Sequence, residues 1–214
     1  MRNWAAFLLA FLGGFALMVL EIVGARYLGK DFGGSFYVWI SQIGVILIAL
    51  ALGYYVGGEL ADRFQRTSIL AWLLASSGLF TFLMPDFAGR IIDAIVMRHP
   101  LDQPIPRIWQ KLDPALGSGL IFLLPCFVLA MLSPFLIRLA ARKLAHVGRV
   151  SGLVYAASTT GSIAGVFTSG YVLIDRFSLT QIFRATGVLT VLLGAMCFLM
   201  DRWLVDDQSE MKES

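Results

Sequence analysis

The sequence predicts an all-α integral membrane protein, a bundle of six spanning helices, and three observations predict it. Hydrophobic residues make up 58% of the 214 residues and charged residues only 14%, where a soluble domain carries about 25% charged. The mean hydropathy is +0.78, an apolar excess that lipid explains better than an unusually large core. The charges themselves fall in clusters between long apolar runs.

A helix needs about 20 mostly apolar residues to cross the hydrocarbon. Six stretches qualify, at 4–23, 36–57, 68–84, 115–137, 152–174 and 181–200. The first has the outline of a cleavable signal peptide, with Arg2 ahead of it and Val23-Gly24-Ala25 behind. Glu21, inside the would-be cleavage region, argues against cleavage. The third is the shortest, and Gln181 and Arg184 leave the start of the sixth open.

Residues 86–114 form the longest segment between spans. Phe87, Ala88, Ile91, Ile92 and Ile95 recur at helical spacing opposite Asp86, Arg90 and Asp93. That pattern predicts a short helix lying in the interface. From His99 to Pro114 four prolines predict irregular chain, with Trp109 as a headgroup-level anchor. Residues 1–205 are thus expected to form the membrane domain and 206–214 a polar, frayed tail.

Orientation follows from Lys and Arg in the connections. With the N-terminus inside, nine basic residues lie inside and eight outside, nearly a tie. Density breaks it: 138–149 holds Arg138, Arg142, Lys143 and Arg149 without an acid, while the four basic residues of 86–114 are spread among four aspartates. Both termini are expected in the cytoplasm of a cell whose inner (plasma) membrane holds the chain.

The same pattern excludes several functions. No basic face exists for nucleic acid. Cys126 and Cys197 each sit in an apolar run and form no CxxC pair, and His99 and His146 lie in separate connections. No metal or cofactor site, nucleophile–base pair or phosphate loop can be assembled from these residues.

Glu21 follows eighteen residues without a charge. An ionised carboxylate at that depth sits at the headgroups or has a partner. Arg26 is the nearest base, but five residues turn a helix by about 140° net, so the two do not share a face. Small residues recur every fourth position at Ala49, Gly53 and Gly57 and again at Ala157, Gly161, Gly165 and Ser169. They predict close helix packing, or two helices facing each other across a moving gate. Pro125 and Pro134 predict kinks in the fourth span, and Arg138 is placed to snorkel to the interface. Tyr155, Ser158, Thr159 and Thr160 cluster in the fifth span, available to a polar ligand or to their own backbone. Gly53-Tyr54-Tyr55-Val56 through Asp62-Arg63 is echoed by Gly170-Tyr171-Val172 through Asp175-Arg176. Those ends fall on opposite membrane sides, as a 3+3 inverted repeat would give.

Gly58, Asp62, Arg63 and Arg66, between the second and third spans, resemble the cytoplasmic loop motif of major facilitator transporters. That resemblance implies a charge relay that steadies one conformation. Taken with Glu21 and Arg26, Gly34-Ser35-Phe36-Tyr37, Leu124-Pro125 through Ser133-Pro134 and Gly152 through Gly161, the chain resembles the membrane domain of bacterial fused major-facilitator/spermidine-synthase-like proteins over nearly its whole length. Ser158 and Ala130 stand where that family usually has Asn and Gly. The resemblance implies half a major facilitator fold and an association with polyamine synthesis. No aminopropyltransferase-like catalytic domain follows the spans here, so the chain is not expected to be an enzyme. The expectation is a membrane partner or anchor of a separately encoded soluble aminopropyltransferase-like protein, moving a polyamine-related molecule. The alternatives are a small homodimeric transporter and a structural subunit of a larger membrane complex.

Overall fold

The computed structural model describes residues 2–33, 36–64, 67–100, 104–140 and 147–213. Among them every regular element is helical: α1 (Arg2–Leu28), α2 (Phe36–Phe64), α3 (Thr67–Val96), α4 (Arg107–Ala130), α5 (Leu132–Ala140), α6 (Val147–Thr168), a π-helical turn (Ser169–Leu173), α7 (Ile174–Arg176) and α8 (Leu179–Glu213). Two spans are composite: α4 runs on into α5, and α6 through the π turn into α7. The six resulting spans are each long and apolar enough to cross a bilayer. The 29 residues of α2 rise about 43 Å at 1.5 Å each, enough for hydrocarbon and both headgroup layers. This is the build of a multi-pass membrane protein.

Successive spans are antiparallel. The helix ends at Phe64, Thr67, Ala140 and Val147, the start of α1 and the C-terminal end of α8 share one face of the bundle, called here the terminal face. The connections after Leu28, Val96 and Arg176 make the opposite, loop face. Gly33, at φ +81°, takes the left-handed conformation needed to turn the chain after α1.

Helix pairing is set by small residues. Lipid gives helices no hydrophobic reason to associate, so backbones approach where side chains are absent. α1 packs on α6, α2 on α4 and α5, and α3 on α8. A Cβ at Gly161 would collide with the Phe11 carbonyl, and one at Gly165 would stand 2.6 Å from the Phe15 oxygen. A Cβ at Gly53 would lie 2.5 Å from the Phe127 oxygen and one at Gly57 2.8 Å from the Met131 Cα. Gly78 and Gly187 meet at the α3–α8 crossing, where a Cβ on either would lie 2.7 Å from the other's carbonyl oxygen. The two predicted small-residue stripes are therefore packing seams on α4 and α1, not faces opposed across a gate. Phe183 stacks edge-on against Tyr27 at 5.6 Å and tilted against Phe122 at 5.9 Å, where α1, α4 and α8 meet.

Two expectations for 86–114 are corrected. Residues 86–96 do not form a separate interfacial helix. They are the last turns of α3, which continues through Pro85. The predicted periodicity is real, with Ala88, Ile92 and Ile95 buried, but that face packs into the bundle. The second correction is that α4 begins at Arg107, so Pro114 lies inside a helix rather than in irregular chain. Pro106 precedes the first turn, where a missing N–H costs nothing. The start expected for the fourth span, residue 115, falls eight residues after the observed one.

Pro134 explains the break between α4 and α5. It has no N–H for the Ala130 carbonyl and its ring crowds that oxygen. The Met131 N–H bonds to the Val128 oxygen at 3.2 Å instead, a tighter turn. Pro125 sits inside α4 without ending it. At the far end α8 continues as helix through Glu213, where a frayed tail was expected from 206.

Candidate functional site

The site is built on one face of α1. Ala10, Gly13, Gly14, Leu17 and Met18 form a wall of a cleft of about 80 Å³, closed by Leu50 and Tyr54 of α2, Leu129 and Ala130 of α4, Leu132 and Ser133 at the α5 end, and Ser158 and Ser162 of α6. That volume admits several waters or one small polar group. Gly14 brings α6 in: a Cβ there would strike the Ser158 carbonyl and lie 3.0 Å from Ser158 Oγ. The Ser162 hydroxyl donates to the Gly14 carbonyl at 3.3 Å. Tyr54, Ser133, Ser158 and Ser162 are thus the hydroxyl-bearing residues lining a cleft between transmembrane helices. Ala130, in the position where glycine was noted as usual, lies directly against Gly53.

Glu21 lies three and four residues beyond Met18 and Leu17, so it continues the cleft face by one turn. It is half-buried and has no hydrogen bond or ion pair among the described residues. Arg26 is exposed, and the structure does not bring the two together, as the helix rotation predicts. Beyond Glu21 lies a buried amide, Gln42, that is not among the residues expected from the sequence. Gln42 is fully buried; its Oε1 accepts from Ser118 Oγ at 2.6 Å. Its Nε2 has no partner among the described residues. Gly24 makes room for it, because a Cβ there would meet Gln42 Nε2 and stand 3.0 Å from the Phe122 ring.

The other singled-out residues divide. Tyr155 is largely exposed and lies outside the cleft lining. The Thr160 hydroxyl donates to the Ala156 carbonyl at 2.8 Å, bonding back to its own helix. On the terminal face, Arg138 Nε donates to Asp62 Oδ1 at 2.7 Å and ties α2 to α5. Arg63 stacks on Phe64 instead, with its guanidinium carbon 5.5 Å from the ring centre. Gly58 packs beside Pro134. Arg66 and the basic residues at 142 and 143 lie outside the described residues.

The loop face holds a cluster that sequence reasoning missed. Asp113 is buried and accepts from Arg98 through Oδ1, while Oδ2 meets His99 Nε2 at 2.7 Å. The Arg98 guanidinium lies 4.1 Å from the Trp109 ring centre, so Trp109 anchors a residue of its own chain. Arg184 of α8 bonds to Asp86 of α3 at 3.2 Å. A signal existed for both missed groups. Asp113 is an acid directly ahead of an apolar run, and Gln42 is the lone amide within the second one. Polar groups in such places mark sites or packing contacts.

Among the described residues no group of His, Cys, Asp and Glu is arranged to hold a metal. The hydroxyls can donate and accept hydrogen bonds, and an ionised Glu21 would attract a positive charge. Comparisons with protein-family models, with curated proteins and with solved structures find no match for this chain.

Proposed function

We propose that this chain is the membrane component of a two-protein system, built like half a major facilitator transporter, and that it passes a small amine-bearing solute of the polyamine kind. The observation that carries this reading is the hydroxyl-lined cleft with unpaired Glu21 one turn above it. A half-buried carboxylate within a span is costly without a counter-charge, and an ammonium group supplies one. The cleft is shallow for a whole pathway, so a second copy of the chain closes it.

Helix pairing supports the half-transporter reading. Exchanging the first span with the fourth, the second with the fifth and the third with the sixth turns the α1–α6 pair into the α4–α2 pair and returns the α3–α8 pair to itself. The glycine seams follow the same exchange: Gly161 and Gly165 seat on α1 as Gly53 and Gly57 seat on α4. A 3+3 inverted repeat has this property.

The partner in this reading is a soluble aminopropyltransferase-like protein on the cytoplasmic, terminal face. There the Asp62–Arg138 pair joins the two segments that would receive it. The chain itself is the anchor and conduit, not the enzyme.

Proteoliposome uptake of a labelled diamine tests the proposal. Wild-type protein should take it up, and Glu21→Gln should lose at least about tenfold of the rate, the equivalent of about 1.4 kcal/mol. Uptake unchanged by Glu21→Gln, or absent in the wild type, would sink the cleft reading. Copurification of a coexpressed soluble partner in mild detergent tests the second half separately.

A further inference from the structure

A second cavity lies on the opposite side of α1 from the polar cleft. It measures about 410 Å³ and runs between Phe15 and Val19 of α1, Leu173 and Phe177 at the α7 end, and the face of α8 from Gln181 to Leu189. We infer that this groove seats one acyl chain of a phospholipid, with the phosphate held at its mouth by Arg176 and Gln181. The inference is independent of the solute reading.

Depth supports that occupant. Leu189 lies ten residues into α8 from Leu179, or about 15 Å at 1.5 Å per residue. Half of a hydrocarbon core of about 30 Å is the same length. The groove therefore spans one leaflet, from the headgroups at the α7–α8 turn to the bilayer midplane.

Wall chemistry points the same way. Along the groove the one hydroxyl is that of Thr186, and it already donates to the Ile182 carbonyl at 2.8 Å. It therefore offers a methyl surface with no free donor, and the deep part of the groove is apolar. A polar solute finds nothing to bind there.

The mouth is polar. Gln181 Oε1 accepts from the Ser178 N–H at 3.0 Å and from the Ser178 hydroxyl at 3.1 Å, while the Gln181 N–H donates to Ser178 Oγ at 3.3 Å. This reciprocal cap fixes the Gln181 side chain at the start of α8 and leaves its Nε2 free among the described residues. Arg176 is exposed and unpaired among the described residues. It follows Leu173 by three positions and precedes Phe177, so it edges the face that lines the groove, while Asp175 lies on the other side of that turn. Arg184, bonded to Asp86 of α3, points away from it. A guanidinium and an amide N–H above an apolar slot one leaflet deep are the donors a phosphodiester needs.

Native mass spectrometry of the full chain, released from mixed phosphatidylglycerol–phosphatidylcholine vesicles, tests this. Wild-type protein should retain a phospholipid, with phosphatidylglycerol preferred. Ala185→Trp fills the groove and should lose the retained lipid; Ala185→Leu, with fewer added atoms, should weaken retention and covers the case in which the tryptophan variant does not fold. Arg176→Gln should keep a lipid but reduce the preference for phosphatidylglycerol about five-fold, the effect of one basic residue at a membrane surface. No retained lipid on the wild type, or equal retention by the wild type and both Ala185 variants, overturns the proposal.

Discussion

Substituting Gly78 isolates what holds α3 to α8. A Cβ at this position would lie 2.7 Å from the Gly187 oxygen, 2.7 Å from the Val191 nitrogen and 2.8 Å from Val191 Cγ2. Ordinary contact begins near 3.4 Å, so the two helices must part by about 0.7 Å along that line. Two of the three obstacles are backbone atoms of α8, which no rotamer change can move. Overpacking of this kind costs about 1–3 kcal/mol. Alanine also gains about 1 kcal/mol of helix propensity over glycine, which partly hides the clash. Gly44 provides the control, since a Cβ there meets nothing within 4 Å. Its alanine variant gains the same propensity without the clash. The difference between Gly78→Ala and Gly44→Ala should therefore be about 1–3 kcal/mol in favour of the latter. Circular-dichroism unfolding of both variants in the same detergent measures that difference. Equal stability of the two would refute the claim that the α3–α8 crossing is set by close backbone approach.

Other perturbations follow from the same contacts. Asp62→Asn removes the pair with Arg138, both of whose side chains are largely exposed, and should change unfolding stability by less than about 1 kcal/mol; a larger loss would mean the pair is shielded from water. Asp113→Asn weakens a buried acceptor of two donors and should cost about 1.5–3 kcal/mol, towards the lower end because Arg98 stays partly solvated. Pro134→Ala restores an N–H for the Ala130 carbonyl and should join α4 to α5, seen as a longer spin-label distance between positions on the two helices. Cys126 and Cys197 are fully buried, so a maleimide should label neither before SDS denaturation and both after it.

Much of the fold was legible because a bilayer imposes one simple requirement, a long apolar helix, on every span. The six predicted stretches and the six observed ones coincide in their cores. Their ends did not, for a definite reason. Hydropathy stops at the first cluster of charges, whereas a helix stops where its backbone bonds stop. Asp86, Arg90 and Asp93 ended the third prediction, yet they occupy the exposed side of a helix whose other side, Ala88 and Ile92, is still buried. Pro114 reads as a breaker in sequence, yet its presence in α4 leaves only one carbonyl without its helical bond. The site was legible one residue at a time but not as an assembly. Glu21 and Ser158 stood out by type. That Tyr54, Ser133 and Ser162 join Ser158 depends on which helices pair. Likewise the Arg98–His99–Asp113 cluster needs α3 and α4 to end near each other. Spacing along one helix carries no such information.

The two cavities lie on opposite sides of α1, and that helix explains why they differ. Gly13, Gly14, Leu17 and Met18 face the hydroxyl-lined cleft, while Phe15 and Val19 face the apolar groove. The glycines let α6 approach until Ser158 and Ser162 reach the cleft. On the other side, two bulky side chains hold the α8 face away and leave the groove open. Enlarging Gly14 should therefore damage the cleft and spare the groove. In Gly14→Ala the new methyl strikes the Ser158 carbonyl, α6 must move out, and Ser158 and Ser162 withdraw together. Diamine uptake should fall at least about tenfold while the retained phospholipid seen by native mass spectrometry stays as in the wild type. Loss of both at once would show that α1 does not separate two independent sites, and that the cleft and the groove report only on the integrity of one bundle.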